Sequence, residues 1–276
     1  MDKKRIEIFA LFFYCIAVLI FYTAPLNLDN HGNIANIISS TFQLPPIYFG
    51  YLALKYFGAK TTQGKSIFFI LISLISWAIA DIIWSVIPGS PVVSIADVFY
   101  LAGYPFFAFG VLAGIQTLYP DFLKSIKNLA AISLITLSVV AIYLKFFPFL
   151  WSSESGFIEN LTTAGYVLAD LVLIVLILMI IYLVFSGFYS NSWIIIGAAI
   201  VANFIGDLMY TLNSESYAPG SLIDLWWLFG GILLSVGFIV LVKTAETLSK
   251  RISLPIPKGQ FGNSRRKNTN KNGAYK

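Results

Sequence analysis

Eight stretches of roughly 20 mostly apolar residues recur along the chain, at about 6–24, 34–58, 66–87, 95–118, 129–149, 160–186, 192–212 and 222–244. Each is long enough for a helix to cross the hydrocarbon core of a bilayer, where every backbone polar group must bond within its own segment. Turn and charge signals separate them, among them Pro25 to Asn36, Lys60 to Lys65, Pro88 to Pro91, Tyr119 to Asn128 and Asn213 to Ser221. Only 11% of the 276 residues are charged and 58% are hydrophobic, whereas a soluble domain carries about 25% charged residues. A water-soluble enzyme and a disordered chain are therefore excluded. A single cysteine, Cys15, and a single histidine, His31, exclude a disulfide scaffold and a Cys/His-rich metal site. The expectation is an all-α integral membrane protein with eight transmembrane helices, multi-pass in the cell membrane.

Two spans need comment. The first follows Lys3, Lys4 and Arg5, as a signal peptide would, but its apolar run exceeds the usual ~7–15 residues and it reads as a helix. The second contains Pro45 and Pro46, which predict a kink or break.

The basic residues orient the chain. With the N-terminus in the cytoplasm, 17 of the 18 Lys and Arg lie inside and only Lys145 lies toward the outside. Four acids, Asp2, Glu7, Asp121 and Glu246, lie inside; the other nine lie outside or in the outer half of the membrane. Both termini are expected to be cytoplasmic. The formal charge of +5 reports this asymmetry and implies no nucleic-acid partner. The tail, 249–276, is rich in Asn, Lys, Arg and Gly without apolar periodicity, and is expected to be a disordered basic segment in the cytoplasm.

Spans 3–4 and 7–8 resemble each other. Trp77, Asp81 and Trp84, then Asp97, Tyr100 and Gly103, correspond to Asn203, Asp207 and Tyr210, then Asp224, Trp227 and Gly230. The offset is 126 residues from Asp81 to Asp207, and 127 for Asp97 to Asp224, Gly103 to Gly230 and Gly110 to Gly237. The single-residue difference falls in a loop. Spans 1–2 and 5–6 match only in hydropathy. The pattern predicts two parallel four-helix repeats, 1–128 and 129–248, related by an axis along the membrane normal. The glycines are candidates for close helix contact.

The repeated acids define the candidate site. A charged Asp in mid-membrane costs about 2.5–3.5 kcal/mol on insertion scales, so such residues face the protein interior or water. Asp170 is the deepest, about 15 Å into span 6 at 1.5 Å per residue, with Tyr166 one turn before it. Asp97 and Asp224 stand near helix N-termini, where free N–H groups stabilise a carboxylate. Asp81 and Asp207 stand near C-terminal ends, where the dipole disfavours them. Asp81, Asp170, Asp207, Trp84, Tyr104 and Tyr210 are therefore expected to bind a ligand. Asp97, Asp224, Tyr100 and Trp227 are assigned a structural or pocket role. An acidic, aromatic pocket suits a cation or an amine. No metal, cofactor or catalytic residue is expected. Phe204-Ile-Gly-Asp207 lacks the first glycine of an intramembrane aspartyl protease motif, no mid-span lysine suits retinal, and no nucleophile stands with a base. Asn160-Leu-Thr162 is a glycosylation sequon close to span 6.

The stretch Ser94-Ile-Ala-Asp97-Val-Phe-Tyr100-Leu-Ala-Gly103-Tyr104-Pro105, preceded by Asp81-Ile-Ile-Trp84, resembles the multi-helix integral membrane sensor regions at the N-termini of prokaryotic diguanylate cyclases and histidine kinases. The resemblance covers spans 3–4 and, more loosely, spans 7–8. It implies an input module that perceives something at the membrane and passes it to a cytoplasmic output. About 32 residues follow span 8, too few for a cyclase, kinase or PAS domain, so a separate partner is expected to supply the output. The functional expectation is a stand-alone sensory or ligand-binding module that embraces the lipid bilayer and admits a cytoplasmic or membrane signalling partner and a homo-oligomer. The alternatives are a transporter or channel for a small cation or proton-coupled solute, and a non-catalytic scaffold subunit. Against transport, serines of the inner halves such as Ser186 and Ser192 do not make a polar path to the cytoplasm.

Overall fold

The computed structural model describes residues 3–23, 31–87, 93–121, 124–151, 153, 155–184, 189–213 and 216–253. Among them every regular element is a helix: α1 (Lys3–Thr23), α2 (His31–Ser39), α3 (Leu44–Phe57), α4 (Thr62–Val86), α5 (Ile95–Leu118), α6 (Ile126–Leu150), α7 (Phe157–Val184), α8 (Ser190–Leu212) and α9 (Asp224–Ser253). Six of these, α1, α4, α5, α7, α8 and α9, are long and apolar enough to cross a membrane, and α6 holds a shorter apolar run over Ser133–Lys145. The chain is thus compatible with a multi-pass membrane protein.

The second apolar stretch is broken, as its prolines predict. Pro45 and Pro46 fall in the first turn of α3, where a missing N–H costs nothing. In the turn before them, hydroxyls bond carbonyls at the end of α2, of which those of Asn36 and Ile38 also accept backbone N–H groups. Ser39 Oγ donates to the Asn36 carbonyl at 2.9 Å, Ser40 Oγ to Ile37 at 2.7 Å, and Thr41 Oγ1 to Ile38 at 2.6 Å.

The helix packing follows a closed ring. The hairpin α4–α5 and the hairpin α8–α9 are joined on one side by α3, which touches α4 and α9, and on the other by α7, which touches α5 and α8. α6 packs outside the ring on α7, and α1 packs outside it on α9. The core is built from the inward faces of the six ring helices, including Phe49, Leu74, Phe107, Ile177, Trp193 and Phe238. A smaller cluster, Val18, Tyr22, Ala35, Phe42 and Leu228, ties α1 and α2 to α9.

Glycines set how closely the hairpins close. A Cβ on Gly110 would stand 2.5 Å from Ile70 Cγ1 and 2.9 Å from the Ser66 carbonyl oxygen. Its counterpart Gly237 would meet Ile196 Cγ1 at 2.6 Å. Gly103 lies against Trp77, and Gly230 against Asn203. In lipid such backbone approaches replace the hydrophobic drive that water would provide.

Two boundaries depart from the expected ones. α4 begins at Thr62 rather than 66, because Thr61 Oγ1 accepts from the Gly64 N–H at 2.9 Å and caps it. α9 runs to Ser253, past the expected tail boundary at 249. Ala245 to Ile252 holds no glycine or proline, and Pro255 is the first residue that forbids a helix. Residues 254–276 of the expected tail, and Ser186, lie outside the described residues. The sequon asparagine, Asn160, is buried within α7 and donates to the Ser155 carbonyl at 3.3 Å.

Candidate functional site

Each repeated carboxylate acquires its donors from a neighbouring helix or turn. Asp97 closes the N-terminus of α5: its Oδ2 accepts from the Ser94 N–H at 2.6 Å, while Ser94 Oγ accepts from the Ala96 N–H at 3.1 Å. This is a capping box. Its other oxygen accepts from the Tyr166 hydroxyl of α7 at 2.7 Å. Asp224, the first residue of α9, ties the helix to the turn before it. It accepts from the Gly220 N–H at 2.9 Å and the Tyr217 hydroxyl at 2.8 Å. Gly220 is the turn residue with φ at +93°, a conformation side chains resist. Tyr217 lies in the loop between helices, where burial and the adjacent Asp224 push its hydroxyl above the ordinary tyrosine range.

Asp81 and Asp207 have no such role at a helix start. Asp81 Oδ1 accepts from the Tyr100 hydroxyl at 2.5 Å across the α4–α5 hairpin. Asp207 Oδ1 accepts from the Trp227 indole N–H at 2.8 Å across the α8–α9 hairpin. Tyr100 and Trp227 are the residues that the sequence offset equates. Asp207 Oδ2 also accepts from the Tyr104 hydroxyl of α5 at 3.2 Å, which links one hairpin to the other.

Asp170 joins this group from α7. It is buried and stands beside both the Tyr104 hydroxyl and the Asp207 carboxylate, with Asp81 also in electrostatic reach of Asp207. Asp170 of α7 and Asp207 of α8 thus flank the Tyr104 hydroxyl, and Asp81 of α4 approaches them on the Tyr100 side; Asp170 is buried, Asp81 and Asp207 half-buried. Aromatic rings enclose this group: Tyr104 packs edge-on against Trp77 at 5.6 Å and against Tyr166 at 6.3 Å, and Tyr100 meets Tyr166 at 6.4 Å. Trp77 is itself held by its indole N–H bond to the Tyr100 carbonyl at 3.0 Å.

Of the expected ligand-binding residues, Asp81, Asp170, Asp207 and Tyr104 are brought together. Tyr210 lies at the edge, packed on Trp227 at 6.2 Å and on Tyr217 at 4.9 Å. Trp84 stands one turn beyond Asp81 on α4, half-buried. Tyr217 and Trp77 do more than the sequence reading assigned them. Trp77 was legible from its spacing to Asp81; Tyr217 was not, because a loop residue has no periodicity.

The donors to Asp81 and Asp207 are phenols and an indole. Among the described residues, none of the three acids is paired with a Lys or Arg, and Lys145 is exposed on α6. Among the same residues, no three His, Cys, Asp or Glu side chains lie close enough together to hold a metal ion. What the arrangement offers chemically is carboxyl groups in an aromatic enclosure, and a cation is attracted both by an ionised carboxylate and by ring faces.

No protein-family model matches the chain, and no curated protein or solved structure matches it.

Proposed function

We propose that the protein is a stand-alone membrane sensory or ligand-binding module whose site takes a cation or an amine. The observation that carries this is the convergence of Asp81, Asp170 and Asp207 from three helices, with only neutral donors around them. Buried acids in a membrane protein are costly and gather at functional sites. A bound cation would offset that cost, and its occupancy would report on the packing between the two hairpins. The eight-span, two-repeat arrangement with both termini cytoplasmic belongs to the same reading. It is supported by the charge asymmetry, by the matched offsets and by the equivalent places of α3 and α7 in the ring. The likeness of Asp81 to Pro105 to sensor regions supports a signalling partner in the cytoplasm or membrane.

The test is the melting temperature of the purified protein against ammonium compounds and inorganic cations at two pH values. A ligand that binds only the folded state raises it. Ammonium compounds are expected to raise it, and Asp81→Asn or Asp207→Asn to weaken that response at least tenfold. Asp170→Asn is expected to weaken that response in the same way. No shift with any compound, together with lower stability in all three variants, would instead assign the aspartates to the fold and the protein to a scaffold role.

One observation favours transport as a second reading. Gln63, Ser66, Ser73, Trp77 and Asp81 follow helical spacing along one face of α4, over about 27 Å at 1.5 Å per residue. Gln63, Ser66 and Ser73 are buried, and neither the Gln63 amide nor the Ser73 hydroxyl has a partner among the described residues. Buried polar atoms of this kind mark sites for ordered water. The sequence reading placed Gln63 outside the span and saw no polar path here. Cation flux into liposomes that Ser73→Ala reduces would favour transport; its absence, with amine binding intact, would favour the sensor.

A further inference from the structure

An apolar cleft of about 320 Å³ lies between α5 and α7, walled by Leu101, Tyr104, Pro105 and Ala108 on one side and by Gly165 and Ala169 on the other. The small residues leave the space: a Cβ on Gly165 would meet only Leu101 methyl groups, at 3.7 and 3.9 Å. Pro105, Leu168 and Val172 are exposed along it, so it opens onto the surface that faces lipid in the membrane reading. Its inner end is Tyr104, whose hydroxyl bonds Asp207 and stands beside Asp170. Ala169 lines the cleft, and the next residue is Asp170. One ring therefore separates a hydrocarbon-lined slot from a group of carboxylates.

Apart from Tyr104 the lining is apolar, so an occupant's polar group is complemented only at the inner end. An ammonium placed there complements the carboxylates behind Tyr104.

We propose that the ligand of this site is a lipophilic amine, with its hydrocarbon part in the α5–α7 cleft and its ammonium group toward Asp207 and Asp170. This rests on the cation-binding reading above and adds to it the ligand's class and its access from the lipid side. Tyr104 is the residue such a ligand must turn or pass, so its bond to Asp207 is the contact that occupancy disturbs.

The experiment uses the full chain in nanodiscs, with octylammonium and ethylammonium as probes. Each is dosed by mole fraction in the bilayer, so that partitioning common to all variants cancels. Octylammonium is expected to raise the melting temperature of the unaltered protein. Gly165→Leu, which fills the cleft and replaces a glycine within a helix, is expected to raise its half-maximal dose at least tenfold while leaving the ethylammonium response within twofold. Gly165→Ala is expected to behave as the unaltered protein. Ala108→Leu fills the cleft from the opposite wall and is expected to repeat the Gly165→Leu result. If both filled variants respond to octylammonium as the unaltered protein does, the hydrocarbon part lies elsewhere; this inference falls while the amine site stands. If neither amine stabilises the unaltered protein, or if Asp207→Asn leaves both responses intact, the amine site itself is lost and this inference with it.

Discussion

Gly110→Leu is expected to destabilise the protein by roughly 2–5 kcal/mol, measured by thermal or denaturant unfolding in detergent. Two of the three atoms nearest a new Cβ there belong to the backbone of α4: the Ser66 carbonyl oxygen at 2.9 Å and the Ile70 nitrogen at 3.0 Å. A side chain can rotate away from an intruder, but a helix backbone has to translate. That movement also breaks the bond from Ser66 Oγ to the Gly110 carbonyl, 2.6 Å long and buried. The hydroxyl then has no partner in a dry interior, which adds to the steric cost. The equivalent Gly237→Leu meets a flexible Ile196 side chain first, and the Ile196 nitrogen only at 3.5 Å. It is expected to cost less. Equal losses at the two positions would mean that the α4–α5 interface is not the tighter one.

Asp207→Ala is expected to cost about 2–5 kcal/mol, because it strands two part-buried donors at once, each worth up to about 1–3 kcal/mol. The Trp227 indole N–H and the Tyr104 hydroxyl both point at this carboxylate. They come from α9 and α5, so Asp207 bridges the two hairpins. Asp207→Asn should lose less, since its amide oxygen still accepts one donor. Asp81→Ala strands only the Tyr100 hydroxyl and should fall between the two. The same unfolding measurement ranks all three. A loss at Asp207→Ala no greater than at Asp81→Ala would show that the link between hairpins adds nothing to stability.

Much of this was legible in the residues, for reasons that differ from place to place. The break at Pro45 and Pro46 is local chemistry, since a missing N–H acts wherever the helix lies. Asp97 and Asp224 were readable as helix-start acids from their position alone, and the structure places both at helix starts. The pairing of Tyr100 with Asp81 and of Trp227 with Asp207 follows the 126- and 127-residue offsets. Ring closure through α3 and α7 was not legible. Hydropathy records that a helix prefers lipid, not which neighbour it meets, because lipid and leucine are equally apolar. For the same reason the approach of Asp170 to Tyr104 had no signal beyond its depth in the span. Gln63 was missed because it stands just outside the apolar run, and Ser73 because one hydroxyl barely alters the hydropathy around it. Tyr217 lies in a turn whose path depends on Gly220, and no periodic pattern describes that path.

The closed ring has a consequence for biogenesis. A ribosome delivers the helices in order, and α4 can meet α5 once residue 118 has left the exit tunnel. The partners that complete the ring arrive last, since α3 contacts α9 and α9 begins only at Asp224. Through most of synthesis α3 has one finished ring neighbour instead of two, and Asp81 has Tyr100 without the second hairpin behind it. A chain stopped before α9 also leaves Asp207 without Trp227. In the membrane reading, an incomplete nascent chain thus carries an acid, Asp207, whose indole donor only the final helix supplies, the kind of polar residue by which a quality-control protease can distinguish an unfinished chain.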